Sequence, residues 1–152
     1  MQDWFDAYAV SHQNETNKKV HFICVPAIFF SIVGLLMSIP SGFMEAFLPP
    51  MWAHFATVVG LAVTLFYLRL SLPIALGMVV WMVFCIWANF QIAQVASLPL
   101  VSIAIFVLAW IGQFWGHKVE GQKPSFLEDV QFLMIGPAWV MGFIFRRLGV
   151  SY

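Results

Sequence analysis

Long uninterrupted apolar stretches restrict the fold of this chain more than any other feature of its sequence. A helix needs about 20 consecutive apolar residues to cross the hydrocarbon core of a bilayer. Four stretches have or approach that length: 20–39, 53–70, 72–93 and 98–115. Backbone polar groups inside a bilayer must bond internally, and the β-branched alternation of a barrel is absent, so helices are predicted. The sequence therefore predicts an all-α integral membrane bundle of about four transmembrane helices.

The composition of the chain excludes a water-soluble globule. Hydrophobic residues make up 62% of the sequence and charged residues only 9%, whereas about a quarter of a soluble domain is charged. The formal net charge is zero, so no nucleic-acid partner is expected. We expect residues 1–152 to form a single membrane domain.

The polar N-terminal segment, residues 1–19, is predicted to form a separate short helix. Trp4, Phe5, Tyr8 and His12 recur in it at helical spacing and define one amphipathic face. Such a helix lies on the membrane surface or caps the bundle.

A last apolar stretch, 130–148, is interrupted near its middle by Gly136-Pro137. If four helices cross and this stretch does not, all the basic residues fall on one face of the membrane, and they are Lys18, Lys19, Arg69, Lys118, Lys123, Arg146 and Arg147. Because basic residues mark the cytoplasmic side, we predict a C-terminal interfacial or re-entrant helix and cytoplasmic termini. The compact loops favour a bacterial inner membrane over the endoplasmic reticulum.

An even number of crossings gathers three of the four histidines on one membrane face. His12 and His21 precede the first span and His117 follows the fourth, whereas His54 opens the second span on the opposite face and is interpreted as an interfacial residue. Converging imidazoles bind transition metals, and two histidines with one carboxylate are usual for non-haem iron(II). In a helix Glu120 would share the face of His117. On the residues alone, histidines bonded to lipid headgroups or backbone remain an alternative.

Other polar side chains have interpretations of their own. Gln113 interrupts an apolar run, so it is expected to face the bundle interior and orient a ligand. The lysines of the histidine face, among them Lys18 and Lys123, either attract an anionic headgroup or fatty-acid carboxylate or simply set the topology. On the opposite face, Asn89 and Gln91 are interpreted as helix–helix contacts.

Two spaced motifs resemble a known family. They are Tyr8-x3-His12-x4-Asn17-x3-His21-x4-Pro26 and Gln113-x2-Gly116-His117-x2-Glu120-x3-Pro124. Together they resemble the small membrane 2-hydroxy fatty acid dioxygenases, whose fungal members convert 2-hydroxy fatty acids from phytosphingosine breakdown into odd-chain fatty acids. The resemblance spans nearly the whole chain. It is weaker in the hydrophobic middle, where Ala88-Asn89-Phe90 stands in place of a fungal histidine.

The resemblance implies an iron(II)-dependent oxidoreductase that performs α-oxidation. A 2-hydroxy fatty acid reacts with O2 and loses its carboxyl carbon. By the same resemblance, His12, His21 and His117 hold Fe(II), and Glu120 is a fourth ligand or orients one. The candidates for substrate binding or for supporting the ligands are Tyr8, Asn17, Lys18, Gln113 and Lys123. The expected partners are the 2-hydroxy fatty acid, O2 and membrane lipid, with homo-oligomerisation left open.

Two other function classes are weighed against the dioxygenase. A non-catalytic membrane scaffold or lipid-binding protein predicts histidines that lie apart. A carrier of metals or small solutes needs ionisable groups at mid-membrane depth, and the spans contain none apart from Arg69 at an end.

Overall fold

The computed structural model describes residues 13–121 and 134–151, and these form five α-helices. In chain order they are α1 Glu15–Met37, α2 Phe55–Leu68, α3 Leu72–Val95, α4 Leu98–Glu120 and α5 Ile135–Arg147, with a short 3-10 helix, Gly42–Ala46, between α1 and α2. These residues include no β-strand, which confirms the all-α prediction.

The start of α1 differs from the prediction. Asn14 caps the helix, because its side-chain oxygen accepts hydrogen bonds from the backbone N–H groups of Thr16 at 2.8 Å and Asn17 at 3.4 Å. Residues 15–19 therefore belong to α1, and the predicted helix over 1–19 is wrong in that part. The rest of it, residues 1–12, lies outside the described residues.

Within the described residues, three helices are long and apolar enough to cross a membrane, namely α1, α3 and α4. The second predicted span, 53–70, is shorter than expected. Helix α2 has 14 residues, or about 21 Å at 1.5 Å per residue. It begins late because the hydroxyl of Ser41 donates to the carbonyl of Ala53 at 2.8 Å and His54 is extended, so both Ala53 and His54 stay in the loop.

Helix α2 runs antiparallel to α1. Near its start Ala56 shares a buried apolar cluster with Val33, late in α1. Near its end Tyr67 shares another with Val25, near the middle of α1. Helices α1 to α4 therefore alternate in direction. We call the end where α1 begins and α4 ends the histidine end, and the opposite one the far end.

Helices α1 and α4 pack against each other along their whole lengths. At three levels a glycine of one helix faces a side chain of the other, and a Cβ added to that glycine would lie under 3.0 Å from it. The pairs are Gly116 with Asn17, Gly112 with Cys24, and Gly34 with Ser102. Small residues allow such close approach of helices in membranes.

Asn89 joins α3 to α1 toward the far end. Its side-chain nitrogen donates to the carbonyl of Phe30 at 3.1 Å and to that of Cys85, in its own helix, at 2.9 Å. This confirms the interpretation of Asn89 as a helix–helix contact. The same interpretation is wrong for Gln91, which is exposed because two residues further along a helix lie on nearly the opposite side.

Helix α5 packs on the histidine half of the bundle. Its 13 residues measure about 20 Å, too short for the core of about 30 Å. Tyr67 donates to the carbonyl just before it, and near its other end Phe143 meets the ring of Phe22 at 4.9 Å. The guanidinium groups of Arg146 and Arg147 lie 5.7 and 5.0 Å from the Phe143 ring centroid. These contacts support the interfacial or re-entrant placement and put both arginines at the histidine end.

We expect Gly34→Ala to lower the free energy of unfolding by about 1–3 kcal/mol, because the new methyl group meets the short, buried side chains of Asn89 and Ser102. The control is Gly60→Ala, whose added Cβ meets the flexible end of Met82 at 3.3 Å. Alanine also favours a helix over glycine by about 1 kcal/mol, so the control should be neutral or stabilising. Thermal unfolding in detergent measures both variants, and equal effects would contradict the proposed close packing at Gly34.

Candidate metal centre

The histidine end brings together two of the predicted histidines. His21 lies in the second turn of α1 and His117 in the last turn of α4. Their ring centroids are 5.0 Å apart and their planes meet at 66°. The two side chains are only 1% and 5% exposed. Antiparallel packing of α1 and α4 thus places residues from opposite ends of the sequence in one buried pair.

The separation of the two rings fits two ligands of a single metal ion. Histidine nitrogens bind such ions at about 2.1 Å, which places the centres of two adjacent imidazole ligands roughly 5 Å apart. Imidazole also suits iron. In residues 13–121 and 134–151, no group of three His, Cys, Asp or Glu side chains is placed to hold a metal ion. His12, the third predicted ligand, lies outside these residues.

Glu120 fastens the start of α1 to the end of α4. Its carboxylate accepts hydrogen bonds from the backbone N–H of Gln13 at 2.8 Å, from that of Asn14 at 3.0 Å and from the side-chain amide of Asn17 at 2.9 Å. Hydrogen bonds to an ionised group are stronger than neutral ones. We call this set of bonds the Glu120 clamp. It lies one helical turn beyond His117 and holds that turn against the first turn of α1.

Local sequence explains why α4 reaches Glu120. The predicted span ended at residue 115, but the polar residues that follow continue the same helix to Gly121. Gly121 has a φ of 77°, a left-handed conformation that glycine adopts without steric cost and that commonly ends a helix. As the sequence predicted, His117 and Glu120 therefore share one helix and one face.

The other predicted site residues are either buried, exposed on the surface, or outside the described residues. Gln113 is 7% exposed, and its side-chain oxygen has no hydrogen-bond donor among the described residues. Lys18 forms an ion pair with Glu15 at 3.1 Å on the surface of α1, so the structure gives it a surface partner. Tyr8 and Lys123 lie outside the described residues.

His54 lies at the far end, apart from the histidine pair. It precedes α2, and its Nε2 donates to the carbonyl of Met51 at 2.7 Å. Burial lowers the pKa of His54 below its usual value, although the hydrogen bond to Met51 acts in the opposite direction. Its interpretation as an interfacial residue stays a prediction.

Sequence reasoning gave no role to two glycines that shape the site. Gly116 makes room for the side-chain oxygen of Asn17, and Gly112 makes room for the sulfur of Cys24. Their four-residue spacing in α4 is the small-xxx-small pattern of membrane helix contacts. That spacing was the sequence signal from which the packing role of the two glycines could have been predicted.

These observations define a class: a multi-pass membrane protein with a buried histidine pair at one end of its helix bundle. The family model described as 2-hydroxy-palmitic acid dioxygenase Mpo1-like matches residues 1–148, and the chain belongs to this family. It is therefore an enzyme, a 2-hydroxy fatty acid dioxygenase of fatty acid metabolism, as the motifs predicted. The scaffold and carrier alternatives are not supported. Searches of curated proteins and of solved structures found no match.

Glu120→Gln should loosen the start of α1, because the neutral amide accepts fewer and weaker hydrogen bonds than the carboxylate. Losing a bond to a charged group costs about 1.5–3 kcal/mol, so amide hydrogen exchange at Gln13 and Asn14 should accelerate by about 10- to 100-fold. The control is Glu15→Gln, which removes only the exposed ion pair with Lys18 and should change exchange little. Unchanged exchange in Glu120→Gln would show that the clamp does not order this segment.

Proposed function

We propose that the protein performs iron(II)-dependent α-oxidation of 2-hydroxy fatty acids at its histidine end. Family membership gives the reaction class and the kind of substrate. We infer the metal and its location from the buried pair of His21 and His117, whose ring centroids lie 5.0 Å apart. Iron(II), when bound, supplies the activation of O2, while the protein supplies ligands, orientation and a dry site.

The proposed reaction balances without an added reductant. The carbon that bears the 2-hydroxyl becomes the carboxyl carbon of the shorter acid, and the former carboxyl carbon leaves as carbon dioxide. This oxidation gives up four electrons, and one O2 accepts four. One water molecule completes the balance. The chain itself therefore needs no electron-transfer partner.

We assign the ligands to His12, His21 and His117, and we assign Glu120 a positioning role. Of the two possible roles of this carboxylate, a fourth ligand or a ligand orienter, we choose the second because its oxygens already accept three N–H groups at 2.8–3.0 Å. Gln13, one of the donors, directly follows His12 in the chain. Holding the backbone of Gln13 restrains where the imidazole of His12 can lie relative to the pair.

We assign Gln113 the role of a hydrogen-bond acceptor for the substrate. It lies one turn before His117 on α4, and its buried side-chain oxygen has no donor among the described residues. A buried acceptor without a donor destabilises a protein by about 1–3 kcal/mol. The 2-hydroxyl of the substrate is a suitable donor, and this bond would distinguish a 2-hydroxy acid from an unsubstituted fatty acid.

We also propose that the histidine end faces the cytoplasm, in a bacterial inner membrane. Lys18, Lys19, Lys118, Arg146 and Arg147 support this orientation, because helix starts and ends at the histidine end carry them. A fatty acid dissolved in the adjacent leaflet would then present its carboxylate at the level of the histidine pair.

The test is purification, metal analysis and incubation with 2-hydroxypalmitic acid and labelled O2. The wild type should contain iron and release the acid one carbon shorter. His117→Ala should lose the metal and fall below about 1% of wild-type turnover, because even residues that only orient ligands are worth 10- to 100-fold. His54→Ala is a matched control, since His54 is equally buried, at 4% exposed against 5%, and it should keep most of the activity.

Two results would overturn this proposal. One is a purified wild type that forms no shortened acid even after iron(II) is restored. The other is a His117→Ala variant that retains both metal and turnover, which would move the metal away from the histidine pair.

A further inference from the structure

An apolar cleft opens between α1, α3 and α5, in the histidine half of the bundle. Its volume is about 210 Å³. Phe22 and Pro26 of α1, Met78 and Trp81 of α3, and Val140 and Ile144 of α5 line it. Phe22 directly follows His21, so one end of the cleft adjoins the turn of α1 that carries the proposed ligand.

We propose that this cleft holds the acyl chain of the 2-hydroxy fatty acid and thereby sets the preferred chain length. The proposal rests on the proposed function and deepens it by naming the residues that select the substrate. The carboxylate end of the acid lies toward His21, and the hydrocarbon chain follows the cleft away from it.

Charge at the mouth of the cleft matches the charge of a fatty acid. Ile144, at the α5 end of the cleft, precedes Arg146 and Arg147 by two and three residues. Both guanidinium groups lie over the ring of Phe143, which in turn meets the ring of Phe22 at 4.9 Å. Two exposed arginines therefore lie near the α5 end of the cleft, where their charge would attract a carboxylate.

The cleft walls suit a flexible chain. Met78 and Met141 both line the cleft, and methionine adapts to irregular apolar ligands. Gly77 lets α5 approach α3, because a Cβ there would lie 2.9 Å from the sulfur of Met141. In α1, Pro26 has no N–H to donate to the carbonyl of Phe22, so the helix is open at the turn between the histidine and the cleft.

Two other apolar clefts among residues 13–121 and 134–151 are less suitable. One, of about 220 Å³, lies between α1 and α2 and includes Phe29 and Leu36. The other, of about 160 Å³, lies between α2 and α3 and includes Trp52. Neither includes a residue next to His21, and the loops at the far end, 38–54 and 96–97, carry no Lys or Arg to attract a carboxylate.

The experiment fills each cleft in turn. Val140→Phe places a ring in the proposed cleft, and Val63→Phe makes the same change in the cleft between α1 and α2. The rate constant kcat/KM is measured for 2-hydroxy acids of increasing chain length. Val140→Phe should lower kcat/KM for the long acids by at least about tenfold relative to the shortest, since one methylene in a pocket is worth about 10- to 200-fold. Val63→Phe should keep the wild-type profile.

A second readout does not depend on turnover. Under anaerobic conditions, wild-type protein is irradiated with a 2-hydroxy acid that carries a diazirine midway along its chain, with and without excess unlabelled 2-hydroxypalmitic acid. Labelling that the competitor removes should map to residues 137–144 or to Met78 and Trp81. The proposal is overturned if the competitor removes labelling at Val63 or Phe29 instead. It is also overturned if the competitor leaves all labelling unchanged, as expected for a probe dissolved in bulk lipid. A Val140→Phe variant with the wild-type chain-length profile overturns it as well.

The experiments can disprove the proposed function and the proposed acyl-chain site independently of each other. If wild-type protein with iron(II) forms no shortened acid, the proposed function is wrong, but competed labelling in the cleft would still establish the acyl-chain site. If turnover is normal and labelling maps elsewhere, only the assignment of the cleft is wrong.

Discussion

The close antiparallel contact of α1 with α4 is the interaction on which the rest of the structure depends. These two helices come from opposite ends of the hydrophobic part of the chain, and no short loop joins them. Gly34, Gly112 and Gly116 allow their backbones to approach along the whole contact. Lipid tails are as apolar as the helix surfaces, so packing of small residues and buried polar bonds must hold such helices together. Every candidate ligand in the described residues lies on this contact.

Polar groups are concentrated at two levels of the same contact. At the histidine end, His21, His117 and the Glu120 clamp form one group, and toward the far end Asn89 and Ser102 meet at Gly34. A polar group in hydrocarbon is costly unless it is bonded. The group toward the far end links α1, α3 and α4, which fixes the bundle. The histidine end is held separately, by the Glu120 clamp.

Helix α5 adds a fifth helix to one half of the bundle. It covers the histidine half of α1 and α3, where Tyr67 bonds to the backbone just before it and Phe143 packs on Phe22. The cleft that it forms with α1 and α3 is bounded on one side by apolar side chains and near its mouth by two arginines. A substrate whose tail prefers the bilayer and whose head prefers water matches that division. Under the proposed function, the bilayer would both solvate the helices and supply the substrate.

Much of the architecture was predictable because it depends on local sequence. Apolar length predicted the all-α membrane fold, and alternation of the helices placed His21 and His117 at one end. Spacing within a helix predicted that Glu120 follows His117 on one face. The N-cap at Asn14 and the shortened α2 were missed because short polar side chains decide them through particular hydrogen bonds. Hydropathy averages do not register single hydrogen bonds.

The sequence by itself determined that the chain enters the membrane, how its helices alternate and which family it joins, because hydropathy, length and motif spacing are properties of the chain alone. Only the tertiary structure decided which helix faces meet. Leu65, 63% exposed, and Ile74, fully buried, are equally apolar, so hydropathy cannot tell a side chain that faces lipid from one in the core. For that reason the partners of Glu120, the contacts of the glycines and the cleft beside Phe22 became visible only once the helices were packed.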